Sequence, residues 1–311
     1  MKHICIIGMW HLGLVNAAGF ASKGYRVTGI DFDGDAVKKL SVGNLPLFEP
    51  GLRETVVKYI KRKILTFSSA IESVRTADYV IIAYDSPIDK NNNVDITPIT
   101  TAATRIASYL QPDTTVVITS QIPLGTSGEI ELLIQKGNSK WRGGIVYVPE
   151  NLQLGSALAR FLEPDMLVIG SNSKYAKRSA QALYRPFTAP KVTMDLKSAE
   201  MVKHALNAFL ATSIAFGNEI ANLCDRLGAD AVSVASALRY DKRLGRAPIF
   251  PGLGFSGGTL ARDVAVLRMF AEKKNYRAPL LESIVEINED TFRQIILKLT
   301  KRLKTLKGKT I

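Results

Sequence analysis

Gly8 and Gly13 bracket a short turn, Gly8-Met9-Trp10-His11-Leu12-Gly13, where an apolar strand-like run gives way to a helical one. A Gly-x-Gly-x-x-Gly pattern at such a junction cradles the pyrophosphate of a dinucleotide. The first glycine makes the tight turn, the second lets the backbone approach the phosphates, and the third lets helix and strand pack closely. Here the middle position is Trp10, whose indole should crowd the phosphates unless the loop shifts. A second strand ends at Asp31, 18 residues after Gly13. A carboxylate there accepts the ribose hydroxyls and favours NAD over NADP. Turn, helix and acid together predict an NAD site formed by Gly8, Trp10, Leu12, Gly13 and Asp31. The competing reading is a domain that keeps this fold without the ligand.

Other residue types offer less. Cys5 and Cys224 make no disulfide framework and no metal-ligand spacing, and both read as buried structural thiols. His3, His11 and His204 form no spaced cluster, so no metal site is expected. The net charge of +13 could draw anions. Five of the basic residues, Lys301, Arg302, Lys304, Lys307 and Lys309, fall in the last helix and tail, where a solvated face explains them. No nucleic-acid-binding motif accompanies the charge. No run of about 18 apolar residues predicts a membrane span. The apolar start leads straight into the strand-turn pattern and lacks a cleavage site, so it does not read as a signal peptide and a cytoplasmic protein is expected.

The elements that position these residues change character along the chain. Val- and Ile-rich runs at His3–Gly8, Arg26–Ile30, Ile64–Phe67, Tyr79–Tyr84, Thr114–Thr119, Ile145–Val148 and Met166–Ile169 predict short strands. Helical stretches such as Leu14–Ser22, Ile99–Leu110 and Ser127–Gln135 fall between them. This alternation predicts a parallel sheet covered on both faces. From Ser198 to Asp225 apolar residues run nearly all round a helix, including Met201, Val202, Leu206, Phe209, Leu210, Ile214, Phe216 and Ile220. Such a helix is buried on most sides. More helical segments follow near 229–238, 260–273 and 279–303. The expected fold class is α/β: an N-terminal Rossmann-like domain over 1–194, an all-α dimerisation domain over 195–303 and a basic tail over 304–311.

Several segments, in order, resemble the UDP-glucose/GDP-mannose dehydrogenase family. Asn44-Leu45-Pro46-Leu47-Phe48-Glu49-Pro50-Gly51-Leu52 is similar to its Pro-Ile-Tyr-Glu-Pro-Gly-Leu stretch. Ser120-Gln121-Ile122-Pro123-Leu124-Gly125-Thr126 is similar to Ser-Thr-Val-Pro-Val-Gly-Thr. Val148-Pro149-Glu150-Asn151-Leu152 and Pro164-Asp165-Met166-Leu167-Val168-Ile169-Gly170 resemble two further motifs. The long helix from Ser198 and the turn Gly254-Phe255-Ser256-Gly257-Gly258-Thr259-Leu260-Ala261-Arg262-Asp263 complete the series. The style is that of the UDP-glucose-like branch.

The resemblance implies a two-step, NAD-dependent oxidation of a sugar CH2OH to a carboxylate, with a cysteine trapping the aldehyde. It also implies a helical middle domain that forms a homodimer, and a third Rossmann-like domain. The chain ends at Leu306–Ile311, where the first strand of that third domain is expected. By the same resemblance Lys203 and Asn207, four apart and so on one helix face, would stabilise an oxyanion at the sugar's C6. Asp263 would organise water and the lysine, and Glu150 would act as general acid or base. Arg243 would reach substrate across the dimer, and Gly254, Gly257 and Gly258 would let backbone approach it.

The departures matter as much. Thr259 stands at the position of the family's cysteine, and a hydroxyl is a poor nucleophile without an activating base. Gln121, Asn151, Leu154, Ala261 and Arg262 also differ from the family's residues. Two functions follow: a nucleotide-sugar dehydrogenase of the UDP-glucose 6-dehydrogenase type, impaired at the thiol step and taking a UDP-hexose; or a non-catalytic dimeric binding or scaffold protein derived from that family. No membrane or nucleic-acid partner is expected.

Overall fold

A computed structural model describes residues 1–85, 94–256, 259–308 and 310. The site positions Gly257 and Gly258, and Lys309 of the basic tail, lie outside the described residues. The chain divides into two compact units, Met1–Lys203 and His204–Ile311.

The first unit is an α/β sheet domain. Its strands are β1 (His3–Ile7), β2 (Arg26–Ile30), β3 (Leu65–Ser68), β4 (Tyr79–Ile82), β5 (Thr115–Ile118), β6 (Ile145–Tyr147), β7 (Leu167–Gly170) and β8 (Lys191–Met194). The order across the sheet is β3-β2-β1-β4-β5-β6-β7-β8. In β1 every residue is buried, and successive side chains serve opposite faces. Ile4 and Ile6 join one core with Leu14, Phe20, Val27 and Phe161. Cys5 and Ile7 join the other with Val80, Ile82, Ile106 and Ile118. The helices that cover these faces are α1 (His11–Ser22), α2 (Gly34–Ser41), α3 (Leu52–Lys61), α4 (Thr97–Ala107), α5 (Thr126–Gly137), α6 (Ala157–Leu162) and α7 (Lys174–Leu183).

The sheet differs from the sequence expectation in two respects. β7 meets β6 antiparallel, through Tyr147 opposite Gly170, and the other pairings among the eight described strands are parallel. Side-chain alternation sets which face a residue serves and carries no information on strand direction. β8, absent from the expected strands, pairs parallel with β7 at the sheet edge. It is only partly buried, so it lacks the apolar run of a central strand.

Helix α8 (Leu196–Leu227) continues through the division between Lys203 and His204. The second unit contains the rest of α8 with α9 (Ala231–Leu238), α10 (Leu260–Lys273) and α11 (Pro279–Leu303). Its core is small: Ala208, Ala211, Ala215, Phe255, Val264 and Ile284. Phe209, Phe216, Leu223 and Leu227 of α8 remain exposed in the single chain. Cys5 and Cys224 are both buried and free, and burial pushes the Cys5 thiol up to about 12. Among the described residues no helix is long and apolar enough to cross a membrane.

Candidate functional site

The glycine turn sits at the carboxyl end of β1. Gly8 has φ +95°, and a Cβ on Gly13 would lie 1.8 Å from the Gly8 carbonyl oxygen. Only glycine tolerates these two environments. Trp10 is the residue preceding α1, with φ −98° and ψ −152° and no side-chain cap hydrogen bond. That extended conformation needs no glycine, and the indole is 54% exposed. Leu12 is buried in the first turn of α1. Asp31 follows β2 and accepts the Met9 N–H on Oδ2 at 2.9 Å and the Asp33 N–H on Oδ1 at 3.0 Å. These features fit a dinucleotide. Trp10 contributes no side-chain cap to the helix N-terminus, backbone approaches closely at the two glycines, and the Asp31 carboxylate stands at the end of the adjacent strand.

Glu49, in the segment before α3, is what fixes the surroundings of this turn. Its buried carboxylate accepts the N–H groups of Gly155 at 3.0 Å and Ala157 at 2.8 Å, and lies 3.2 Å from His11 Nε2. Burial works to raise the Glu49 carboxyl. The two N–H groups and His11 outweigh it and hold the group below its ordinary range. One side chain thus ties the segment before α3, the start of α6 and the first residue of α1.

Lys203 of α8 meets the segment that follows β6. Lys203 Nζ donates to the Glu150 carbonyl oxygen at 2.7 Å and to Asn151 Oδ1 at 3.3 Å. The Glu150 carboxylate accepts from Asn16 Nδ2 at 3.4 Å. Burial pushes the Glu150 carboxyl up to about 7, against the opposing pull of Asn16 and the Lys203 ammonium. One turn before Lys203, Glu200 is fully buried. It accepts the N–H groups of Gly125 at 2.6 Å and Ser127 at 2.9 Å, capping α5 from α8. Leu154 is exposed and Gln121 half-buried.

The second unit holds a separate cluster around Asp263, which is fully buried. His204 Nδ1 lies 3.0 Å from Asp263 Oδ1, and Asn207 Nδ2 donates to Asp263 Oδ2. Arg262 Nε stands 3.8 Å from Oδ1. Nothing in the sequence singled out His204; its role appears only when α10 packs on α8.

Thr259 is the residue preceding α10, exposed and without a side-chain cap hydrogen bond. Gly254 has φ +90°, and a Cβ there would meet Asn288 Oδ1 at 2.5 Å. Asn288 of α11 accepts the Phe255 N–H at 2.8 Å and donates to the Phe255 carbonyl at 2.9 Å. Arg243 lies in a 3-10 turn, Lys242–Leu244, exposed and bonded through Nε to Asp241 at 2.9 Å. Within its unit it is not brought to the Asp263 cluster by any described hydrogen bond.

An α/β sheet unit followed by a helical unit is the arrangement that the comparisons with known proteins also give. The profile of the UDP-glucose/GDP-mannose dehydrogenase family, NAD binding domain, matches residues 2–188, and that of the family's central domain matches residues 197–290. The chain belongs to the UDP-glucose/GDP-mannose dehydrogenase family. It is 37% identical over 313 aligned residues to UDP-glucose 6-dehydrogenase TuaD of Bacillus subtilis, covering 100% of this chain and 68% of the relative. It is 35% identical to UDP-glucose 6-dehydrogenase YwqF of the same organism, covering 99% of this chain and 71% of the relative. Among solved structures, a UDP-glucose dehydrogenase from Pyrobaculum islandicum superposes with TM-score 0.91 at 31% identity, covering 98% of this chain and 72% of that one. The first unit therefore carries the family's NAD binding domain, and the chain is a nucleotide-sugar dehydrogenase by family.

Proposed function

We propose that the chain binds NAD and a UDP-hexose and oxidises the sugar's C6 alcohol once, to the aldehyde. The observation that carries the reading is the pair at the end of β6: the Lys203 ammonium held 2.7 Å from the Glu150 carbonyl oxygen, and a Glu150 carboxyl that titrates near 7. A carboxyl poised near neutrality suits proton transfer at physiological pH. Bound NAD supplies the hydride acceptor. Gly8, Trp10, Leu12 and Gly13 would hold its pyrophosphate end and Asp31 a ribose. Glu150 takes the hydroxyl proton as the C6 hydride leaves, and Lys203 stabilises the alkoxide as it develops. Asn207 shares the face of α8 that bears Lys203 and is oriented by Asp263. The family resemblance gives Gly254, with the glycines at positions 257 and 258 that lie outside the described residues, as substrate contacts, and Arg243 as the substrate contact of a homodimer formed through α8. That dimer is supported by the exposed Phe209, Phe216 and Leu223.

The second oxidation is not part of the reading. It needs a thiol to trap the aldehyde, and Thr259 offers a hydroxyl. Product analysis by mass spectrometry with UDP-glucose and excess NAD tests this. One NADH per aldehyde, formed slowly, is expected. Rapid formation of two NADH per uronate would overturn it. UDP-glucose binding with no NADH at all would favour the second reading, a non-catalytic dimeric binding or scaffold protein, for which Thr259 is the specific motive.

A further inference from the structure

We propose that Asp85 is a built-in competitor for the pyrophosphate of the dinucleotide, and that it sets the affinity of this chain for NAD. The inference rests on the cofactor reading above. In a doubly wound sheet the ligand crevice opens where the strand order reverses. Here that point lies between β1 and β4. The pyrophosphate of a dinucleotide sits at the N-terminus of the helix that follows β1, drawn by unpaired N–H groups and the positive end of the helix.

The chain places a carboxylate of its own there. Asp85, three residues past the end of β4, accepts the Leu12 N–H on Oδ2 at 3.5 Å, in the first turn of α1. Helix α1 has no acidic residue in its own first turn and no side-chain cap at Trp10. Asp85 therefore supplies from another strand the negative charge that the helix end otherwise lacks. Next to it, the Tyr84 ring closes over the turn: a Cβ on Gly8 would lie 2.9 Å from Tyr84 Cδ1. Desolvation raises the Asp85 carboxyl, opposed by the Leu12 N–H and the charge of His11. The contact is long and the side chain keeps solvent access, so the carboxylate can be displaced. A dinucleotide entering the crevice meets a like charge at the donor it needs and must move that charge aside.

The test is calorimetric titration of the full chain with NAD and, separately, with adenosine, which carries no phosphate. Parent, Asp85→Asn and Asp85→Glu proteins are compared at pH 8 and low salt. Asp85→Asn is expected to bind NAD at least ten-fold more tightly than the parent, and adenosine equally. Asp85→Glu, which keeps the charge, is expected to show no gain. Equal or weaker NAD binding by Asp85→Asn overturns the proposal while leaving the cofactor reading standing. A matching gain for adenosine also overturns it, because the charge would not be acting on the phosphates. NAD binding by none of the three proteins overturns both.

Discussion

Lys203 reaches the carbonyl oxygen of Glu150 at 2.7 Å, so the backbone of one candidate proton carrier fixes the ammonium of its neighbour. The carboxyl of the same Glu150 is held up near 7 by burial. An acid whose folded value is raised binds more protons folded than unfolded between its ordinary value and about 7. Stability therefore falls as pH rises through that window and levels off above it. Glu150→Gln removes the titration. Relative to the parent, the variant is expected to gain a few degrees of melting temperature between pH 5 and pH 7.5. Melting curves across that range check it; a constant offset would mean that the carboxyl is already ionised at pH 5.

Asp263 is shared by His204 and Asn207 in a fully buried position. Asp263→Ala leaves two buried polar side chains without their acceptor and is expected to cost about 3–5 kcal/mol. Asn207→Ala removes one donor only and is expected to cost about 1–3 kcal/mol. Because Asp263 and Asn207 bond each other, each single variant already breaks that bond, so the double variant should cost less than the sum. Urea unfolding of the three proteins measures this, and strict additivity would count against a shared network.

Thr259→Cys would place a thiol just before the first turn of α10. A helix N-terminus lowers a thiol's pKa below its ordinary value of about 8.5. The new cysteine is expected to react with iodoacetamide faster at pH 7 than a free thiol, while buried Cys5 and Cys224 stay unlabelled. The pH dependence of alkylation reads it directly. Full four-electron oxidation is not expected to return, because Gln121 and Leu154 also differ from the family's residues.

Asp31 should repel the 2′-phosphate of NADP. NAD is expected to bind more tightly than NADP, and Asp31→Asn to narrow the ratio by roughly ten-fold. Trp10→Gly is expected to tighten NAD binding by removing the indole from the phosphate side. Fluorescence titration with both cofactors reports each effect. Unchanged affinity in the Trp10 variant would show that the extended backbone at that position already turns the ring away.

The exposed ring positions of α8 predict self-association. Light scattering of the parent chain at micromolar concentration should give a dimer. Phe216→Asp together with Phe209→Asp should give a monomer that keeps its helical circular dichroism signal. A monomeric parent would remove the motive for the dimer.

The central strands could be read from the chain because β1, β4 and β5 are buried on both faces and so are rich in Val and Ile, with few charged residues to interrupt them. β8 could not, because an edge strand half in water carries Lys191 and Thr193 among its apolar residues. In the same way Asp31, Lys203, Asn207 and Asp263 stood out by spacing or motif. Glu200, His204 and Asn288 did not. Each is an ordinary polar residue on a helix until another segment packs against it, and only then does its side chain meet Gly125, Asp263 or Phe255. Arg243 shows the converse. Its place in the motif suggests substrate, and in the single chain its guanidinium is occupied with Asp241.

The grip of Asn288 on Phe255 means that the glycine-rich turn does not own its shape. An amide side chain about thirty residues downstream bonds both the N–H and the carbonyl of one turn residue, as a paired strand would. Transplanting Gly254 and Phe255 into another scaffold would carry the letters without the conformation, unless the matching asparagine travelled with them.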